Sequence, residues 1–519
     1  MSTAKSYKLS KIDVLIGDKK VDIRELVSEF NWFESIDSSF IRCDFVILDT
    51  VQFDDNILGS EIIHITFEST TEKKSRIQHT LQIYKIGSIV KQERAKQYIL
   101  HCSSPEIYEN EANRAFGQFG PVSGKTDIVK RMVKDHLNSS KKTHIEAHTN
   151  INVLSPNWRP VDLISYMSDK VSRTKAGSRQ SGKGKKQSGF LFYENRDGWN
   201  FKSMDLLCEQ ESIAKYTYAQ ANVGQYNPGT NFYQIEQVIY PERANQLDKL
   251  RQGVYKQCTY GIVMAQLTDS YMPNAGATSS TTFDEWVKLN VPYTANDGSA
   301  GSLNNEQLLT LYNASKDLDI TFNNAGNDTS FTWKPKSLGS KDNLTERQLA
   351  NKDKTSKPSG TISGPMVSNL LKTFSKASKL HDGLPYREEH INAYINLYPT
   401  RTKFKILPGF NNQTANAPKG GADDADESVL TAATYSAARW SLLNTHTLTI
   451  RVPGNTKLYA GCVVTVNLPS SKQESKSNVA RDQTYSGKYL VKGLRHTYKK
   501  QGITTELYLC RGSLPVTKN

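Results

Sequence analysis

The sequence predicts a mainly β protein with α+β insertions, and three observations predict it. Apolar and polar residues alternate in short runs from Ile12 to Ser103 and again from Thr445 to Arg511. Helical spacing of apolar residues appears between about Pro105 and Val171. A stretch rich in Asn, Ser, Thr, Gly and Lys, from Tyr271 to about Gly364, separates the two strand-rich ends.

The first strands are read from IDVLI-GDKK-VDI (Ile12 to Ile23), a hairpin with Gly17-Asp18 at its bend. In FIRCDFVIL, Ile41, Cys43, Phe45 and Ile47 share one face and alternate with Arg42, Asp44 and Val46. EIIHITFES, TLQIYKIGSIV and QYILHCS continue the pattern, which implies an antiparallel meander or barrel. Past Pro105, TDIVKRMVKDHLN reads as a helix: Thr126 is the expected N-cap, and Ile128, Val129, Met132, Val133 and Leu137 form its apolar stripe. WRPVDLISYMSDKV reads as a second helix with Pro160 in the first turn. GFLFYENRDGWNFKSMDLL (Gly189 to Leu207) reads as a hairpin turning at Asn195-Arg196-Asp197-Gly198, with Phe190, Phe192, Trp199 and Phe201 pairing across it. At the C-terminus Leu448, Ile450 and Val452 share a face, as do Cys462, Val464, Val466 and Leu468; YSGKYLVKGLRHTYKK and ITTELYLCR follow.

Composition bounds the function classes. At roughly 150 residues per domain, 519 residues suggest about three or four domains. Tyr (25) outnumbers Phe (18), which suits half-buried strands and interfaces. No run approaches the ~18 apolar residues of a membrane helix, and the start carries no apolar run of signal-peptide length. Synthesis in a cytoplasm without general secretory export is the expectation. Six cysteines without CxxC spacing give no metal or redox signature and are expected as free thiols in apolar segments. The net charge of +14 raises nucleic acid as a partner, but the densest basic run, SRTKAGSRQSGKGKKQSG (Ser172 to Gly189), is Gly/Ser-rich and reads as a solvated loop.

Two motifs imitate chemistry. GQFGPVSGKT (Gly117 to Thr126) ends like a phosphate-binding loop, which needs four residues between its first Gly and the Gly-Lys pair. Here Gly120 leaves three and Gly117 leaves six, Pro121 removes a backbone donor, and no strand is evident leading into it. A loop and helix start is the expectation. HIEAH (His144 to His148) places its Glu two residues after the first His, whereas a zinc-protease helix needs it directly after. A strand or loop histidine pair is expected. No GxSxG elbow occurs. Asp423, Asp424, Asp426 and Glu427 lack the spacing of an EF-hand and read as a solvated linker.

GFLFYENRDGWNFKSMDLL, together with HTLTIRVPGNTKLYAGCVVTVNLP and YSGKYLVKGLRHTYKKQGITTELYLCR, resembles baseplate central hub proteins of contractile-tailed bacteriophages, which are related to the hub portion of type VI secretion spikes. IRVPGNTKLYAG followed by YSGKYLVKGLRH is the most specific part. The resemblance implies two tube-like antiparallel β-barrel modules, a helix-containing domain and an irregular insertion. It divides the chain into 1–104 (first module), 105–188 (helical domain ending in the basic loop), 189–270 (aromatic hairpin and strands contributing to the modules), 271–364 (polar insertion) and 365–519 (second module with the C-terminal meander). It further implies a homotrimer in the virion's baseplate, assembled in the host cytoplasm. Its partners would be the tail tube protein, the central spike protein and surrounding wedge proteins. DNA would pass only in transit, with no catalytic residue, cofactor or metal and no membrane insertion. Phe190, Phe192, Trp199, Phe201, Tyr489 and Val491 are the packing or interface candidates. The competing readings are a tail-associated cell-wall hydrolase, with Asp284 and Glu285 in the insertion as its acids, a type VI secretion spike-like hub, and a nucleic-acid binder acting through the basic loop.

Overall fold

The structure is a computed structural model. It describes residues 7–69, 75–91, 95–124, 127–174, 188–218, 232–240, 251, 256–263, 279–282, 318–325, 328–335, 401–407, 432–444 in part, 446–473, 479–482, 485–500 and 502–511. In chain order, β1 (Tyr7–Ile16) and β2 (Lys19–Asp22) form the expected hairpin, followed by β3 (Val27–Ser35), β4 (Arg42–Asp49), β5 (Ile62–Ser69), β6 (Ile77–Lys91) and β7 (Lys96–Ser103). A mixed segment follows: α1 (Glu106–Ala112), β8 (Ala115–Phe119), α2 (Ile128–Arg131, running on as a π turn over Met132–His136), β9 (Thr143–Ile145), β10 (Val153–Trp158) and α3 (Pro160–Ser168). Next come β11 (Phe190–Asn195), β12 (Gly198–Ser203), α4 (Met204–Glu209), β13 (Ser212–Thr217) and β14 (Gln237–Ile239). The remaining strands are β15 (Lys256–Val263), β16 (Ser279–Thr282), β17 (Leu318–Ala325), β18 (Asp328–Pro335), β19 (Arg401–Leu407), β20 (His446–Pro453), β21 (Val463–Asn467), β22 (Pro469–Gln473), β23 (Val479–Arg481), β24 (Gly487–Lys499) and β25 (Gly502–Arg511).

The protein is mostly antiparallel β. Thirteen strands make one sheet whose main path runs β14-β20-β25-β24-β3-β4-β7-β6-β5-β1-β2, with β21 on β24 and β13 on β21. The N-terminal strands do not follow a simple meander, because β1 pairs with β5 and β4 pairs with β7. Strand alternation holds in β4 and β20: Cys43, Phe45 and Ile47 are buried, and so are Leu448, Ile450 and Val452. Both ends of the chain feed one hydrophobic core, which joins Phe30, Phe45 and Phe67 to Val464, Val491 and Leu507. The joint is β24. Its first half pairs with β21, from Leu490 against Val463 to Gly487 against Val466. Its second half pairs with β3, from Gly493 against Ser35 to Lys499 against Glu29.

A second core holds the helices and the aromatic hairpin. Ile128, Val129, Met132, Val133 and Leu137 pack with Leu163, Ile164, Phe190, Phe192, Trp199 and Phe201. Pro160 sits in the first turn of α3, where its missing N–H costs nothing. The residue at the start of α2 is Asp127; Thr126, the cap expected from sequence, lies outside the described residues. The 189–270 stretch divides. Its hairpin packs with the helices, while β13 and β14 join the large sheet.

The polar insertion is richer in strands than its composition implies. β16, β17 and β18 all fall inside 271–364 and form a five-stranded sheet with β15 and β19, in the order β16-β17-β18-β15-β19. The reason is visible afterwards in DITFNNAGNDTSFTWKP: Thr, Phe and Trp favour strands, and Gly-Asn is a hairpin dipeptide.

The hairpin turn is tighter than the four residues marked in the sequence. Asn195 and Gly198 already pair, leaving Arg196-Asp197 as the loop. Gly198 has φ of 120°, and a Cβ there would stand 2.3 Å from the Lys142 carbonyl oxygen, to which Trp199 N–H donates at 2.8 Å. Gly198→Ala should therefore destabilise the fold by ~1–3 kcal/mol, combining backbone strain with a displaced β9. A shift of the urea midpoint measures it; an unchanged midpoint contradicts the packing.

Candidate functional site

The chemistry of the described residues concentrates where the large sheet meets the helical layer. The hairpin carries Glu194 between Tyr193 and Asn195, and its strand register turns it inward, fully buried. Its carboxylate accepts from Ser104 Oγ, Ile41 N (3.2 Å) and Lys141 Nζ (2.6 Å), and lies 3.4 Å from His79 Nε2. Lys141 also donates to Glu106 at 2.7 Å, and Ser139 links Glu106 to the Trp199 indole. Burial alone would raise the Glu194 pKa. The hydrogen bond from His79 and the Lys141 charge outweigh it and hold the carboxyl at about 2. One carboxylate thus ties β4, β6, β7, the α2–β9 loop and the hairpin together. With four donors on it, Glu194 is a structural tie and not a proton carrier.

Other buried pairs extend this layer. Arg173 opens the basic run, yet it is buried, donating to Glu146 at 2.5 Å and to Glu209 at 2.8 Å. Glu146 also accepts from Ser203 N at 2.7 Å. The second residue of the run, read from sequence as solvated loop, is therefore an anchor, while 175–187 lie outside the described residues. Arg439 pairs with Asp205 of α4 at 2.7 Å, both buried. Breaking such pairs leaves an uncompensated buried charge, so they fix the geometry even where they add little net stability.

The β3–β24 seam has its own polar chain. Glu34 accepts from Trp32 Nε1 and from Ala460 N, both at 3.0 Å. Burial pushes its carboxyl up to about 7. His496 is fully buried opposite Trp32, and burial pushes it down to about 3. Its Nδ1 lies 2.8 Å from Thr505 Oγ1, which accepts from Asn455 N–H. Among the described residues His496 Nε2 has no hydrogen-bond partner. Tyr498 stacks on Phe30 with centroids 4.8 Å apart, and Tyr7 meets Tyr498 edge-on at 5.2 Å.

The six residues singled out from sequence are all buried within the chain. Phe192 stacks on Trp199 at 5.2 Å and Phe190 on Phe201 at 4.9 Å, inside the helical core. Tyr489 donates to the Tyr485 carbonyl at 2.7 Å, and its ring lies 4.4 Å from the Arg511 guanidinium. Val491 lies in the core shared by the two chain ends. The buried ionic residues were missed. Their signal was Glu194 itself, a lone acid inside an aromatic strand pair.

The imitated motifs resolve locally. A strand, β8, does lead into GQFGPVSGKT, contrary to the sequence reading. The loop that follows is a short 3-10 turn over Pro121–Ser123, and a Cβ on Gly120 would stand 2.4 Å from the Ile151 carbonyl oxygen. That glycine serves a close backbone approach; Lys125 and Thr126 lie outside the described residues. His144 and Ile145 are in strand β9, parallel to β12, and His148 packs edge-on against Phe190 and Phe201. Among the described residues no three His, Cys, Asp or Glu side chains gather as metal ligands, and no helix is long and apolar enough to cross a membrane. Cys43, Cys102, Cys208, Cys462 and Cys510 are free thiols. The acidic stretch Asp423 to Glu427, and Asp284 with Glu285, fall outside the described residues.

The fold and its ties define a strand-rich protein whose two ends share one core, tied to a second core that holds the helices. No family model and no curated protein matches the chain. Among solved structures it is similar to a tail protein from Neisseria meningitidis MC58, at 10% identity over 98% of each chain, with a TM-score of 0.45. It is similar to the 43 kDa tail protein of prophage MuSo2 from Shewanella oneidensis, at 9% identity over 97% of this chain and 98% of that one, with a TM-score of 0.43. A third similarity is to the Francisella PdpA-VgrG complex, at 7% identity over 99% of this chain and 60% of that one, with a TM-score of 0.36.

Proposed function

We propose that this chain is the central hub of a phage tail baseplate, a structural virion protein without catalysis. It forms a homotrimer that joins a six-fold tail tube to a three-fold central spike and encloses a channel for DNA ejection. Strands of 1–104 and of 365–519 supply its two tube-like modules, so three chains offer six similar units. Tube protein, spike protein and surrounding wedge proteins are its partners.

The observation that carries this reading is β24. One strand pairs with β3 of the N-terminal set and with β21 of the C-terminal set, so strands from both ends of the chain meet along it. Among the described residues the main path is open, ending in β2 at one side and β14 at the other. Open rims demand partner strands, and a closed ring of copies supplies them. The resemblance of IRVPGNTKLYAG and YSGKYLVKGLRH to hub proteins gives the ring its identity.

Light scattering and electron micrographs of the purified chain test it. A three-chain mass and rings with three-fold symmetry are expected; a monomer at high concentration without rings overturns it. Zymography on peptidoglycan separates the hub from a tail-associated hydrolase.

A further inference from the structure

A cleft of about 610 Å³ opens between α2 with its π turn and strand β9, within the ~300–1,000 Å³ range of ligand clefts. We propose that it binds an extended acidic segment of another polypeptide, which adds to β9 as a further strand. The inference is independent of the hub reading.

Two observations converge on that ligand. The first is a strand edge that has no partner among the described residues, although further along Ala147 and Thr149 pair with Ser172–Thr174. β9 is the outer strand of β11-β12-β9. Lys142 O accepts from Trp199 N, and Glu146 N donates to Phe201 O, so the even-numbered residues face β12. In a parallel pair the alternate residues face the other way, so the backbone N–H and C=O groups of Thr143 and Ile145 point away from β12. Both residues line the cleft, and among the described residues their edge groups have no backbone partner. The second is charge. Lys130 and Lys134 line the opposite wall, exposed, and make no ion pair among the described residues. Lys141, also at the cleft, is already neutralised by Glu106 and Glu194, and Asp127 is the one acid in the lining.

The geometry favours peptide over a compact anion. Lys130 and Lys134 stand one helical turn apart, ~5–6 Å between Cβ atoms. Alternate residues of an extended chain lie ~6.6–6.8 Å apart on one face. Carboxylates at alternate positions therefore meet both ammonium groups while the peptide backbone pairs with Thr143 and Ile145, a strand-addition mode of recognition. Val129 and Val133 offer apolar floor beneath them.

The test uses the full chain and a labelled hexapeptide alternating glutamate and valine, followed by fluorescence anisotropy. Saturable binding is expected, with protection of the Thr143 and Ile145 amides from hydrogen exchange. Lys130→Glu with Lys134→Glu should weaken it at least tenfold; both positions are exposed, so the fold is kept. A peptide alternating lysine and valine should not bind. A peptide N-methylated at both central residues should lose at least tenfold, because whichever of the two N–H groups points at the edge is removed. No binding at millimolar peptide, equal binding by the charge-reversed variant, or equal binding by the N-methylated peptide each overturns the proposal.

Discussion

Lys141→Met is expected to destabilise the fold by ~3–5 kcal/mol, the cost of leaving a buried carboxylate without its cation. The side chain is only 21% exposed and serves two acids, Glu106 at 2.7 Å and Glu194 at 2.6 Å. Glu194 is fully buried, so water cannot replace the lost charge. Methionine keeps the length of the stem and its packing beside Trp199, whose ring centroid lies 5.7 Å from the lysine nitrogen. The loss is therefore electrostatic and not a cavity effect. Lys142→Met next door removes an exposed charge and should cost less than ~0.5 kcal/mol. Adding Glu194→Gln to Lys141→Met should restore part of the stability, since the uncompensated charge goes with it. Urea denaturation of the three variants measures these differences. A Lys141→Met midpoint equal to that of Lys142→Met would show that the cluster is solvated in solution.

The pH dependence of stability should carry two opposing slopes, one from Glu34 and one from His496. The folded pKa of His496, about 3, lies below the ~6.5 of an unfolded histidine. The unfolded chain therefore takes up the proton first. The contribution His496 makes above pH ~6.5 drains as pH falls through 3, by ~1.4 kcal/mol per unit and ~5 kcal/mol in all. Glu194 adds a second loss that begins only below its unfolded value of ~4.3, because its folded carboxyl sits at about 2. Glu34 works in the opposite sense. Its folded value of about 7 exceeds the unfolded ~4.3, so its contribution is complete below ~4.3 and is lost as pH rises through 7. Between pH 6.5 and 4.5 these two slopes cancel, so His496→Gln should leave stability rising as pH falls, by ~1.4 kcal/mol per unit, with the alkaline limb in place. Stability measured by urea at half-unit pH steps reads this directly. An unchanged slope in His496→Gln would place the proton uptake elsewhere.

Much of the fold was legible because strands and amphipathic helices announce themselves by period. Cys43, Phe45 and Ile47, or Leu448, Ile450 and Val452, face inward because alternation leaves them one apolar side. The turn at Gly198 and the first-turn proline of α3 follow from local backbone preference. Pairing across distance was not legible. Nothing local says that β24 divides its partners between β3 and β21, or that β1 sits beside β5. The polar insertion misled for a related reason: mean composition hid strands that only their pairing reveals.

The buried charges show the same division. Arg173 belongs by sequence to a basic, solvated run, and Glu194 is one acid among 52 Asp and Glu. Each becomes an anchor only because chain segments far apart in sequence bring it a partner of opposite sign. By itself the sequence determined which residues turn inward and where the chain bends, since those depend on neighbours a few positions away. The tertiary structure alone decided which strands share an edge and which charges are buried together, since both depend on contacts that loop closure creates.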